Sequence, residues 1–124
     1  MNSMHQTFNS LMIRSQKRLD RFRWGDPKNY ASWLAQTYYF VRNSTRLLAM
    51  AAGYCPLEQE ILHKRFLTHL REESGHDIIA LRDIKTLGYD ISDFEELPET
   101  RDFYMRQYYT IQNESSVSFM GWIL

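Results

Sequence analysis

Apolar residues recur at helical spacing through most of the chain, beginning near its N-terminus. Residues 6–22 carry five large apolar side chains at helical intervals, namely Phe8, Leu11, Met12, Leu19 and Phe22. These intervals place the side chains on one face, so an amphipathic helix is predicted here. Turn-forming residues then fill positions 24–29, and Asn29 is the expected N-cap of the next helix.

A second helix is predicted from Tyr30 to Ala52. The segment contains no glycine, proline or acidic residue, and its apolar side chains nearly encircle a helix. Such a pattern is typical of a helix buried at the centre of a protein. Gly53 follows it and is the expected residue at the C-terminal cap.

A third helix is predicted from Leu57 to Leu87, with Gly88 as its C-terminal cap. This helix is long for a globular protein, so we expect a kink near Gly75. The stretch Tyr89 to Glu99 contains five acidic residues and a proline. We interpret it as an exposed loop.

A fourth helix is predicted to begin near Arg101, with Thr100 as its N-cap. It is expected to pause at residues 113–116, because their side chains compete for backbone hydrogen bonds. No segment shows a convincing strand-like alternation, so the predicted fold class is all-α with about four helices. The apolar segment 117–124 would lie uncovered on these helices. We therefore expect residues 1–124 to form a single all-α domain that is incomplete at its C-terminus.

Composition and charge narrow the possible partners. The chain is 44% hydrophobic and 24% charged, with a formal net charge of zero, as in an ordinary globular protein. With no net charge, the chain as a whole is not attracted to nucleic acid or to an anionic membrane. Residues 1–50 carry eight basic and two acidic side chains, whereas residues 51–124 carry seven and thirteen. The single cysteine, Cys55, cannot form an internal disulfide, and no signal-peptide pattern is present, so a cytoplasmic location is expected.

The densest cluster of metal-capable side chains lies in residues 69–77. On a continuous helix His69, Glu73 and His76 share one narrow face. The same face carries the apolar residues Leu62, Phe66, Ala80 and Leu87. Burying polar groups there without partners would cost several kcal/mol each, and binding a cation would remove that cost. Carboxylate and imidazole suit iron or manganese. The pattern therefore predicts a metal site formed by these three residues.

Structural roles are the alternative for the same residues. Glu-x-x-His pairs are common on exposed helices, and His69 could be a core histidine bonded to a carbonyl. Several tyrosines could line a substrate pocket, yet aromatic side chains at helical spacing more often form core. These tyrosines are Tyr38, Tyr39, Tyr104, Tyr108 and Tyr109.

The order of the motifs resembles a known family. The motifs are residues 38–44, the His-x-x-Glu-Glu-x-Gly-His-Asp run at 69–77, Leu-x-Asp-x-x-x-Leu-Gly at 81–88, Tyr108-Tyr109 and Val-x-x-x-Gly-Trp at 117–122. Together they are similar to the haem-oxygenase-like di-iron oxidases and oxygenases, a group similar in fold to haem oxygenase and the thiaminase-like proteins. The resemblance covers about residues 28–124.

The resemblance implies a bundle of about seven helices, of which this chain would contain the N-terminal half. It implies two irons that activate O₂ to oxidise a small amine, amino-acid or fatty-acid substrate, with manganese as a possible replacement. Glu73 and His76 match the ligands that the family's second core helix provides. The family also has a carboxylate on its first core helix, where this chain offers only Gln36 and Asn43. The later ligand motifs would follow Leu124.

Three functions remain open at this stage. The first is a non-haem di-iron oxidoreductase, present incompletely. The second is a non-catalytic helical bundle that forms a homodimer and binds a small apolar ligand, with no dependence on metal. The third is a cofactor-free enzyme of the thiaminase-like kind with Cys55 as nucleophile, although no histidine lies near Cys55 in the sequence.

Overall fold

The computed structural model describes residues 2–119. Six α-helices and three single 3-10 turns at residues 57–59, 91–93 and 117–119 account for its secondary structure. The helices are α1 (Asn2–Arg21), α2 (Pro27–Val41), α3 (Ser44–Tyr54), α4 (Glu60–Glu73), α5 (His76–Thr86) and α6 (Pro98–Asn113). No strand occurs between residues 2 and 119, so the predicted all-α helical bundle is confirmed. Of the predicted apolar segment 117–124, residues 120–124 lie outside the described residues.

The predicted second helix is divided into α2 and α3. Arg42 and Asn43 form a turn between them. The Asn43 side-chain amide donates to the carbonyl of Tyr39 at 2.9 Å, and the Tyr108 hydroxyl donates to Asn43 Oδ1 at 2.9 Å. A side chain that bonds to a carbonyl one turn earlier competes with the regular helical bonding, which accounts for the interruption.

The predicted third helix is also divided, close to the glycine where a kink was expected. α4 ends at Glu73, Ser74 is extended, and Gly75 has φ of 90°. Only glycine adopts this left-handed conformation without strain. The break therefore follows directly from the glycine.

Several predicted helix ends are wrong. Asp26, rather than Asn29, caps α2, because its carboxylate accepts hydrogen bonds from the backbone N–H groups of Lys28 and Asn29. Pro27 follows it as the first residue of the helix. Gly53 is helical, and α3 continues to Tyr54. At the other cap glycine the prediction is confirmed: Gly88 has φ of 88°.

The bonding around Gly88 is that of a Schellman motif. Gly88 N–H donates to the carbonyl of Lys85, and Tyr89 N–H donates to that of Ile84. Helix α6 begins at Pro98, three residues before the predicted start. The hydroxyl of Thr100, predicted as a cap, instead donates to Gln36 Oε1 at 2.7 Å.

The helices α2 and α3 pack against α4 and α5, and α6 packs against α2 and α3. α3 packs against α4 and α2 packs against α5, so the two broken helices run antiparallel. The largest fully buried side chains are Phe66, Phe119, Leu47, Leu48 and Ile84. Phe66 is the buried residue of α4, so it fixes the helix that carries part of the predicted metal site.

Helix α1 stands apart from this core. All side chains from residue 3 to residue 28 are exposed. After its C-terminal end the Phe22 ring contacts Trp24, and the Trp24 ring contacts Tyr30 and Trp33 of α2. Across residues 2–119 no helix has both the length and the apolarity of a membrane span.

Candidate metal centre

The break between α4 and α5 positions the three residues predicted to bind metal. His69 and Glu73 lie one turn apart at the end of α4, and His76 is the first residue of α5. The prediction assumed a continuous helix, which is wrong at Gly75. The left-handed glycine nevertheless turns the chain so that His76 returns to the Glu73 side chain.

One carboxylate joins the two imidazoles. His69 Nε2 lies 3.3 Å from Glu73 Oε1, and His76 Nδ1 lies 3.1 Å from Glu73 Oε2. An ionised carboxylate only accepts hydrogen bonds, so each imidazole donates from the nitrogen that faces Glu73. The structure therefore brings together all three predicted residues, with Glu73 between the two histidines.

The three side chains are less buried than the sequence predicted. Phe66 and Ala80 are buried as the apolar stripe required. His69 and Glu73, by contrast, are about a quarter exposed, at 26% and 25%, and His76 is 49% exposed. Water reaches all three groups, so the cost of holding them without a cation is smaller than the several kcal/mol of a buried polar group.

No family model, curated protein or solved structure matches this chain.

Two nitrogen–oxygen separations in the cluster resemble those between neighbouring ligands of a metal ion. Two ligands about 2.1 Å from an ion and at right angles to each other are about 3.0 Å apart. The two nitrogen–oxygen separations, 3.3 and 3.1 Å, are close to that value. Two histidines and one carboxylate are also the ligands of mononuclear non-haem Fe(II) oxygenases.

The cluster is not yet arranged around a common point. Within residues 2–119 no three His, Cys, Asp or Glu side chains are placed to hold an ion as they stand. The imidazoles of His69 and His76 bond to different oxygens of Glu73. Binding would require the exposed His76 ring to rotate towards the oxygen that faces His69.

A second ion finds no comparable donors on the helices that pack against α4 and α5. Helices α2 and α3 contain no carboxylate. The Gln36 amide donates to the carbonyl of Glu95 and accepts from Leu97 N–H and from the Thr100 hydroxyl. Asn43 is bonded to Tyr39 and Tyr108. Gln36 thus joins α2 to the segment that leads into α6, and Asn43 joins the turn between α2 and α3 to α6 itself.

An open groove lies beside the cluster. It has a volume of about 450 Å³ and is lined by Arg65, Thr68, His69 and Glu72. A guanidinium, a hydroxyl and a carboxylate therefore surround one edge of the His69 ring. The groove gives a small polar molecule access to the side of the cluster.

The tyrosine hydroxyls serve the core. Tyr39 donates to the carbonyl of Phe94 at 2.7 Å, and Tyr104 donates to Glu96 Oε1 at 2.7 Å. Burial is the main cause that raises the pKa of Tyr39 and of Tyr104, and the Glu96 carboxylate raises the pKa of Tyr104 further. Burial likewise raises the pKa of Tyr108. The Tyr39 hydroxyl thus holds the acidic segment before α6 against α2, and the Tyr104 hydroxyl holds the same segment against α6.

One arrangement was missed by sequence reasoning. His63 Nδ1 lies 2.7 Å from the carbonyl oxygen of Ala52, and Cys55 N–H donates to the same oxygen at 3.4 Å. A histidine eight positions from the cysteine thus approaches the same turn. The Cys55 thiol itself donates to the carbonyl of Gln59 at 3.6 Å. These bonds close the turn between α3 and α4.

Proposed function

We propose that this protein is a non-haem iron oxidase or oxygenase that holds one iron through His69, Glu73 and His76. The observation that carries the proposal is the Glu73 carboxylate bonded to both imidazoles at the break between α4 and α5. Three oxygen and nitrogen donors from protein leave coordination positions open on an octahedral ion. Open positions are what an enzyme of this class needs for its reactants.

The chain's own residues have separate roles in this proposal. Glu73 supplies the negative charge that offsets part of the charge of the cation, and the histidines bind as neutral imidazoles. Gly75 sets the angle between the two helices that carry them. Arg65 and Thr68 in the adjoining groove would orient a polar substrate beside His69. Bound ferrous iron would supply the redox chemistry with O₂.

The resemblance to haem-oxygenase-like proteins supplies the substrate class. It favours a small amine, amino-acid or fatty-acid substrate and two irons, whereas the three donors His69, Glu73 and His76 would hold one. Manganese suits the same donors. We place the protein in the cytoplasm, because a chain with one cysteine gains nothing from an oxidising compartment.

Anaerobic titration with Co²⁺ tests the site, because this ion takes similar ligands and its visible absorption reports coordination. We expect saturable binding by the wild type and loss of at least about tenfold in affinity for Glu73→Gln and for His76→Ala. Glu72→Gln is the matched control, since it removes the neighbouring carboxylate, which is exposed. Equal binding by the wild type and Glu73→Gln would overturn the assignment of this residue.

Oxygen consumption tests the reaction class. With Fe²⁺ and ascorbate present, the wild type should consume O₂ faster than the Glu73→Gln, His76→Ala double variant under the same conditions. A wild type that binds iron yet consumes O₂ no faster than the double variant would contradict the oxidase assignment while leaving the metal site intact. Failure to bind either ion would overturn the iron assignment and leave the two metal-independent functions, the homodimeric bundle and the cofactor-free enzyme.

A further inference from the structure

Helix α1 carries an apolar stripe that is exposed to solvent. Six large side chains, between 37% and 77% exposed, form it: Met4, Phe8, Leu11, Met12, Leu19 and Phe22. With about 100° per residue they fall within roughly 100° of the helix surface. A stripe this narrow is typical of a seam between two helices.

The helix needs a packing partner to persist. Most of the stability of a helix in a protein comes from packing of its apolar face rather than from the helix propensity of its residues. α1 has 20 residues, no alanine, and six Ser, Thr or Asn residues, which are weaker helix formers. The ring contacts to α2 are made by Trp24, which follows the last residue of α1. The apolar stripe is therefore the available source of stability for the helix.

The charges on α1 indicate what covers it. Residues 2–13 contain no Lys, Arg, Asp or Glu, whereas Arg14, Lys17, Arg18 and Arg21 make the second half basic. Two parallel copies of this helix would place these cations side by side. Two antiparallel copies would place each basic half beside an uncharged half, which removes the repulsion.

We propose that the protein forms a dimer in which the α1 stripes of two copies pack antiparallel. The seam positions follow the spacing of three and four that such seams use, and they are Met4, Phe8, Leu11, Ser15, Leu19 and Phe22. Antiparallel pairing centred near residue 13 places Leu11 of one copy beside Ser15 of the second. The small Ser15 side chain lets the two helices approach closely at the centre.

The size of the stripe agrees with a dimer contact. Its six apolar side chains are on average about half exposed, so each copy presents roughly 500–600 Å² of apolar surface. A standard interface buries about 800 Å² per partner. Flanking residues on a helix about 30 Å long supply the remaining area. Since a twofold interface uses one surface twice, no second complementary face is needed. The dimer does not depend on the iron site proposed above.

Two aspartate variants with opposite expectations test the dimer. Leu11 is 53% exposed on the stripe, and Ile13 is 59% exposed on the other side of the same helix. Sedimentation velocity over a range of concentrations should show a wild-type dimer, a dissociation constant raised about a hundredfold or more for Leu11→Asp, and little change for Ile13→Asp. A monomeric wild type, or equal effects of the two variants, would overturn the proposal.

Cysteine cross-linking tests the orientation in a Cys55→Ser background. Leu11→Cys and Ser15→Cys should each stay uncross-linked alone and form a disulfide when mixed. Disulfides in the separate variants would indicate parallel helices and contradict the proposal. Co-sedimentation with phosphatidylcholine–phosphatidylserine vesicles provides a further check. A monomer that binds them through Leu11 would show that α1 covers its stripe with lipid instead of with a second copy.

Discussion

Replacing Gly75 by alanine tests the break that forms the candidate site. Gly75 has φ of 90°, and a Cβ added there would meet no atom within 4 Å. The cost is therefore conformational. A left-handed alanine costs about 1–2 kcal/mol, and the stiffer unfolded chain offsets about 0.4–1 kcal/mol of this. We expect Gly75→Ala to destabilise the protein by about 1 kcal/mol.

Gly53 provides the matched control with the opposite sign. A Cβ added at Gly53 would likewise meet no atom within 4 Å, but its φ is negative and it lies in helix α3. Alanine there should stabilise the protein by about 0.5–1 kcal/mol. The two variants should thus differ by about 2 kcal/mol, which is a shift of roughly 1 M or more in a urea midpoint.

Urea unfolding followed by far-ultraviolet circular dichroism measures both effects. Gly75→Asn should cost less than Gly75→Ala, because asparagine tolerates the left-handed region better. Gly88→Ala, at φ of 88°, should repeat the loss of stability without affecting metal affinity, since Gly88 lies outside the site. Stabilisation by Gly75→Ala would refute the reasoning, because it would mean that the helix runs on through residue 75.

Three further predictions concern the core, the link to α6 and acid stability. Phe66→Ala should destabilise the protein by about 3–5 kcal/mol, because Phe66 is fully buried. Ile61→Ala on the same helix should change stability by less than about 0.5 kcal/mol, because Ile61 is 88% exposed. Equal effects of the two variants in calorimetry would contradict this packing. Gln36→Ala should lower the stability of the protein by about 1–3 kcal/mol, because it removes three hydrogen bonds. It should also increase amide hydrogen exchange at residues 95–100. Unchanged exchange there would refute the role of Gln36 in holding this segment. Hydrogen bonds from Ser92 lower the pKa of Asp90 from its ordinary 3.8. The stability from this carboxylate is therefore present above pH 3.8 and lost as the pH falls through the lower, folded value. The difference in urea stability between wild type and Asp90→Asn should shrink on acidification below pH 3.8, and a difference that grows would contradict this account.

Local signals predicted much of the fold. The turn at Gly75 and the cap at Gly88 follow from glycine alone, since these residues are free to take positive φ. The break at Asn43 could not be predicted in this way. The Asn43 side chain that bonds back to Tyr39 also accepts a hydrogen bond from Tyr108, which lies 65 positions away in sequence. Gln36 likewise acts through partners 59 to 64 positions away.

The candidate site was predictable in composition but not in environment. His69 and Glu73 meet because they lie four residues apart on one helix, which the sequence states directly. Their exposure depends on how much of α4 its neighbours cover, and this is a property of the assembled helices. Phe66 was correctly predicted on the buried face, whereas the same reasoning overstated the burial of His69 and Glu73, which lie nearer the end of α4.

The most direct test of the proposed function is the iron content of protein loaded anaerobically with Fe²⁺ and freed of excess metal. We predict one iron per wild-type chain, the same content in Glu72→Gln, and little iron in Glu73→Gln. Iron retained in Glu73→Gln at the wild-type level, or no iron in any of the three proteins, would contradict the assignment of the site to His69, Glu73 and His76.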